Sequence, residues 1–162
     1  MIQIHNILVP TDFSEPSLAA TQYGLEFARR FGAKLHLLHV IEDPKVYVPL
    51  VESFPYATRE DLETFARTRL ENWIQPEDAA GVTIETRFVH GKPFVEIVRD
   101  AREHAADLIV LGTHGRGPAA HLLLGSVAEK VVRKAPCPVL TVRAAGHTFV
   151  HPLDSDTEGS QS

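Results

Sequence analysis

Residues 112–126 read GTHGRGPAAHLLLGS, with Gly112, Gly115 and Gly117 inside six positions and Gly125-Ser126 closing the stretch. Glycine costs conformational entropy, so such a cluster serves either a tight turn or a close approach to the backbone. It follows the apolar run DLIVL, which places it at the carboxyl end of a strand, where open parallel sheets bind ligands. Amides bared by the glycines, and those of a helix opening at Gly125-Ser126, suit an anion and above all a polyphosphate. The spacing is neither the phosphate loop GxxxxGK[ST] nor the dinucleotide fingerprint GxGxxG. A turn needed only for packing is the competing reading.

The elements that would position this cluster alternate along the chain. Ile4–Pro10 predicts a strand, and Ser14-Glu15-Pro16 a helix start with a capping side chain and an early proline. Ala20, Tyr23, Gly24, Phe27, Ala28 and Phe31 mark one helical face, and Gly32 stops it. A second strand spans Leu35–Ile41. A helix carrying Leu62, Phe65, Ala66, Leu70, Trp73 and Ile74 follows a Thr58 cap, and Val82–Val89 alternates as a third strand. Phe94, Ile97, Val98, Ala101 and Ala105 predict a third helix, Leu108–Leu111 a fourth strand, Ser126–Lys134 a fourth helix and Val139–Val142 a fifth strand. Five strands separated by four helices imply an α/β domain, a parallel sheet covered on both faces, over residues 1–143. Residues 144–162 turn polar and read as a mobile tail. The proline-spaced, aromatic loop 42–57 is expected to cover a ligand or a partner.

Composition narrows the function classes. The net charge of -5, with no basic run, argues against a nucleic-acid surface. No apolar stretch approaches the ~20 residues of a membrane span. The opening MIQIHNILVP lacks the basic and long apolar regions of a signal peptide, so a soluble, cytoplasmic protein is expected. The single cysteine, Cys137, reads as a small residue entering a strand.

With Gly112, Gly115 and Gly125-Ser126 the chain also carries the spacing Gly-x2-Gly-x9-Gly-Ser. That spacing resembles the nucleotide-binding signature of the universal stress protein family. The resemblance extends to ILVPTDFSEPSLAA, HVI, VHGKP and APCPVLTVR, covering about residues 2–143. It implies strand order 3-2-1-4-5, an adenine nucleotide alpha hydrolase-like fold, and ATP with Mg2+ between strands one and four. Carried over by position, Pro10, Thr11 and Asp12 end strand one, with Asp12 on the ribose hydroxyls, while Val40 offers backbone contacts to the adenine. Gly112, His114, Gly115 and Arg116 would wrap the ribose and phosphates, and Gly125, Ser126 and Val127 would bind phosphate oxygens. It also implies a homodimer paired through the last strand.

The remaining chemistry is sparse. His36 and His39 lie three apart on a strand and face opposite sides, and no histidine pair has helical ligand spacing, so no metal site is expected. Asp12 could also cap the first helix, and the two roles could coexist. Glu96 and Asp100 read as a solvated helix face. No GxSxG elbow, catalytic triad or water-positioning group is legible, so no catalytic residue is assigned. An ATP-binding stress-response regulator with at most slow turnover is therefore the leading expectation. A true ATP hydrolase using His114 or Arg116 on the phosphates and a nucleotide-free interaction module are the alternatives, and which protein partners are involved is unknown from the sequence.

Overall fold

The computed structural model describes residues 1–42, 58–113 and 124–144. Expectations for most of the apolar loop (43–57), for the middle of the glycine cluster (114–123, with His114, Gly115 and Arg116) and for nearly all of the tail (145–162) lie outside them.

Five parallel strands form one sheet in the order β3-β2-β1-β4-β5, as the resemblance implies. They are β1 (Asn6–Pro10), β2 (Lys34–Ile41), β3 (Thr83–His90), β4 (Leu108–Gly112) and β5 (Val139–Val142). The register pairs Leu8 with His36 and Ile109, and Val110 with Leu140. Strand residues alternate between two cores, as period two requires. Ile7, Val9, Leu35, Leu37 and Val110 meet Ala20, Leu25 and Ala28 of α1 (Glu15–Phe31) and Leu70 of α2 (Arg59–Glu71) on one face. Leu8, Leu38, Ile109 and Leu111 meet Ile97 and Ala101 of α4 (Pro93–Glu103) and Ala128 and Val131 of α5 (Ser126–Lys134) on the other. A one-turn helix, α3 (Pro76–Ala79), was not expected from the sequence.

Local chemistry explains the helix limits. Ser14 caps α1, Pro16 occupies its first turn, and Gly32 ends it at φ 64° with its N–H on the Ala28 carbonyl. Thr58 and Asp61 form a reciprocal capping box on α2. A Cβ on Gly24 would stand 2.6 Å from Val9 Cγ2, so α1 rests on the sheet where it has no side chain.

Three expectations are corrected. Tyr23 and Phe31 are 54% and 47% exposed; α1 instead buries Ser17, Ala20, Thr21, Gly24, Leu25 and Ala28. Small residues let the helix approach the sheet, and the bulky aromatics are displaced to its flank. Ala105 lies beyond the end of α4, at φ 48°. Glu96 and Asp100 are buried rather than solvated. Asp100 accepts two bonds from Arg87 on β3, at 2.8 and 3.1 Å, and Glu96 accepts two from Arg99, at 2.7 and 2.9 Å. The Arg87 partner is brought in by tertiary structure, across the gap between strand and helix.

Arg87 also donates to His36 Nδ1 at 3.0 Å, which leaves His36 Nε2–H to donate to Asn6 Oδ1 at 3.1 Å. Burial, then the Arg87 charge and that of His104, hold the imidazole below its usual pKa, against the pull of Glu85 and Asp100. The folded protein keeps His36 neutral while the unfolded chain protonates it near pH ~6.5. Its stabilising contribution is therefore present above that value and lost as pH falls toward the lowered folded pKa. Urea midpoints should fall between about pH 7 and 5, and His36→Gln should reduce that slope. An unchanged slope in the variant would remove His36 from this role.

Candidate functional site

The chain winds outward from β1 to β2 and β3, then crosses back through α4 to β4. The strand order thus reverses between β1 and β4, and a crevice opens beyond their carboxyl ends. Three segments border it.

The first is the turn after β1. Buried Thr11 has all its polar groups engaged within the protein. Its N–H donates to the Leu38 carbonyl at 2.8 Å, extending the β1–β2 ladder by one bond. Its carbonyl accepts from His39 Nδ1 at 2.8 Å, which fixes the proton on that nitrogen. Its Oγ1 accepts from Phe13 N–H and lies 3.0 Å from Ser17 Oγ. Ser17 spends its own proton on the Ser14 carbonyl at 2.8 Å, so Thr11 is the donor to Ser17. Asp12 is half-buried, and its Oδ1 accepts from the Ser14 N–H and the Ser14 hydroxyl. The capping reading of Asp12 is therefore refined: Ser14 is the cap, and Asp12 braces it. Asp12 Oδ2 has no partner among the described residues.

Phe13 adopts φ 63°, a region that costs a bulky residue of order 1–3 kcal/mol and is held only by its surroundings. Those surroundings are dense. His39 stacks on the Phe13 ring at 4.4 Å, Trp73 meets it edge-on at 5.4 Å, and the Arg69 guanidinium lies 5.1 Å from its centroid. His39 and Phe13 shape the turn that borders the candidate site, and sequence reasoning assigned neither of them to it. The HVI motif contained His39, but nothing in it indicated a bond to the turn after another strand.

The second segment is the end of β2. Leu38 bonds toward β1 and Ile41 toward β3, through Gly91 N–H. Main-chain groups alternate along a strand, so those of Val40, like those of Leu38, aim to the β1 side. β1 pairs only as far as Pro10 opposite Leu38. Val40 N–H and C=O therefore face the crevice beyond the end of the shorter strand, and no described residue takes them up.

The third segment joins β4 to α5. Thr113 N–H donates to Val142 and its carbonyl accepts from Gly125 N–H at 2.6 Å, so both ends of the glycine cluster are tied together. Gly125 caps α5 with no side-chain bond to the first amides. Exposed Ser126 and half-buried Val127 stand in that first turn, where the helix dipole is positive. The structure thus brings Pro10, Thr11, Asp12, Val40, Gly112, Gly125, Ser126 and Val127 to one end of the sheet.

Gly112 has a structural reason of its own. A Cβ there would lie 2.8 Å from the Pro16 carbonyl carbon and from Pro16 Cβ. Its lack of a side chain lets α1 begin directly against β4, which supports the packing reading at this glycine. Among the described residues no three His, Cys, Asp or Glu side chains are grouped to hold a metal ion. Cys137 is half-buried, and burial pushes its thiol pKa up. No helix among the described residues is long and apolar enough to cross a membrane.

Comparison with known proteins adds independent findings. The model of the universal stress protein family matches residues 3–143. The chain is 37% identical over 138 residues to universal stress protein MJ0531 of Methanocaldococcus jannaschii, covering 85% of this chain and 81% of that protein. The solved structure of MJ0577, from the same organism, superposes with a TM-score of 0.71 at 31% identity and covers 92% of this chain and all of that one (100%). A universal stress protein solved in complex with cAMP superposes with a TM-score of 0.67 at 30% identity, over 89% of this chain and 100% of that one.

Gly112→Ala should lower stability by about 1–3 kcal/mol in urea unfolding without any ligand present, because the Pro16 backbone must move. A variant as stable as the parent would show that residue 112 tolerates a side chain and that its glycine serves something other than packing.

Proposed function

The chain belongs to the universal stress protein family, and from that premise we propose that it binds ATP at the β1–β4 crevice as a stress-response regulator. The observation that carries this reading is the pair of Val40 main-chain groups facing the crevice beside the open Oδ2 of Asp12. An adenine offers an amino donor and a ring-nitrogen acceptor, which a strand-end C=O and N–H match. A ribose offers two hydroxyls, which a carboxylate oxygen accepts. The α5 amides and Ser126 suit phosphate oxygens, and His114, Gly115 and Arg116, which lie outside the described residues, are proposed as further contacts on the strength of the family resemblance. The relative solved with cAMP supports an adenine nucleotide as the ligand class.

ATP supplies polyphosphate charge and carries Mg2+, which keeps several waters and is held mostly by the phosphates, so no dedicated carboxylate cage is required. Thr11 supports the site through its backbone fold rather than its hydroxyl, which Ser17 and Phe13 occupy. No side chain among those described is placed as a base for an attacking water, and turnover is proposed to be slow at most. A cytoplasmic location is part of the same reading.

Asp12→Ala should weaken ATP by tenfold or more in calorimetry, since a hydrogen bond to a charged group contributes about 1.5–3 kcal/mol. Tripolyphosphate should be affected far less. Equal losses for both ligands would assign Asp12 to the Ser14 brace alone.

The proposed assembly is a homodimer through β5. This strand is a sheet edge: the Pro138 carbonyl just before it accepts from Ile109 N–H of β4, and the Val142 carbonyl accepts from Thr113 N–H just after β4. The main-chain groups of Val139 and Thr141 consequently point outward, ready to pair with the same strand of a second copy. Val142 is buried in the core, so a charge there would test folding rather than pairing. Thr141→Pro removes one outward N–H and no bond to β4. Sedimentation should find a dimer for the parent protein and a monomer for this variant; a dimeric variant would refute pairing through β5.

A further inference from the structure

A groove of about 560 Å3 runs along α4, on the face of the sheet away from α1 and α2. Phe94, Val95 and Val98 form its apolar part, at the start of the helix. Arg99, Arg102 and Lys134 line the remainder, with Glu103 the single acid among the lining residues. Arg99 is paired to Glu96, but the side chains of Arg102 and Lys134 have no ion pair or hydrogen bond among the described residues. Lys130 adds a further cation, 5.0 Å from the Phe94 ring centroid. A basic, partly apolar groove stands out on a chain whose net charge is -5.

The chain itself carries a segment of the complementary character. Residues 145–162 read AGHTFVHPLDSDTEGSQS: Phe149, Val150 and Leu153 come first, then Asp154, Asp156 and Glu158, with no lysine or arginine. We propose that this C-terminal segment docks along α4, its apolar residues on Phe94, Val95 and Val98 and its acids at Arg102 and Lys134.

The order of the two runs agrees with the topology. β5 is parallel to β3, and β3 leads straight into the start of α4, so β5 delivers the chain to the end of the sheet where Phe94 lies. α5 packs on both β5 and α4 and so stands between them. The five residues from Ala144 to Phe149 can span about 17 Å of extended chain. That exceeds the ~10 Å width of a helix, so the segment can cross α5 and meet the apolar end of the groove first. Running on down α4, it then presents its acids where the free cations stand. Charge pairing of this partly exposed kind is screened by salt, so the docked state should loosen as ionic strength rises.

Amide NMR spectra of the full chain test this directly. Replacing the tail acids together (Asp154→Asn, Asp156→Asn, Glu158→Gln) should shift resonances of Phe94–Glu103 and Lys134 while leaving β1 and β2 in place. The reverse change, Arg102→Glu with Lys134→Glu, should shift resonances of residues 149–158. About half-molar salt should reproduce the first effect. Tail substitutions that move nothing on α4 would overturn the proposal. Shifts that appear only at high protein concentration would place another copy's tail in the groove and would equally overturn docking within one chain.

Discussion

Thr11 is the residue on which the site end of this sheet depends. It is buried, and a buried polar group without a partner costs about 1–3 kcal/mol, so its four hydrogen bonds act as constraints rather than ornaments. Its N–H holds β1 to β2 past the last ladder pair, and its carbonyl holds His39. Its hydroxyl ties the Phe13 amide to Ser17 in the first turn of α1. One side chain thereby fixes the angle at which the chain leaves the sheet and enters the helix. The direction of Asp12 follows from that angle.

The neighbouring contacts make the same corner rigid from the other side. α1 can begin beside β4 only because residue 112 has no side chain to meet Pro16. Thr113 then bonds both to β5 and to the cap of α5. The open N-terminus of α5 and the open carboxylate oxygen of Asp12 are thus held at one end of the sheet by separate sets of bonds. Such bracing suits the proposed nucleotide site, because a ligand there would find groups already aimed at it. The left-handed Phe13 fits this picture, because a conformation of that cost persists only where packing over-determines it.

Much of this was legible in the chain. Element order, the Ser14 and Thr58 caps, the Gly32 stop and the alternating strands follow from local stereochemistry, which acts over a few residues. Strand order and the nucleotide signature came from resemblance and not from periodicity. Burial of Glu96 and Asp100 was not legible, nor was exposure of Tyr23 and Phe31. A helical stripe of apolar residues fixes a face only to within the width of a side chain. Which side of that face approaches the sheet depends on where small residues meet, as Gly24 meets Val9.

The sequence by itself determined the order of the main strands and helices and the Ser14, Thr58 and Gly32 boundaries, and with the family resemblance placed Asp12, Val40 and Gly125-Ser126 at the ends of those elements. Only the tertiary structure decided what each is free to do. Hydrogen-bonding capacity is finite, so a group's availability depends on which distant partner has already taken it. Among the described residues Thr11 is fully spent on Leu38, His39, Phe13 and Ser17, whereas Asp12 keeps one oxygen and Val40 both main-chain groups. That division arises from β1 ending three residues short of β2, a difference in strand length that becomes visible only when the two strands are paired.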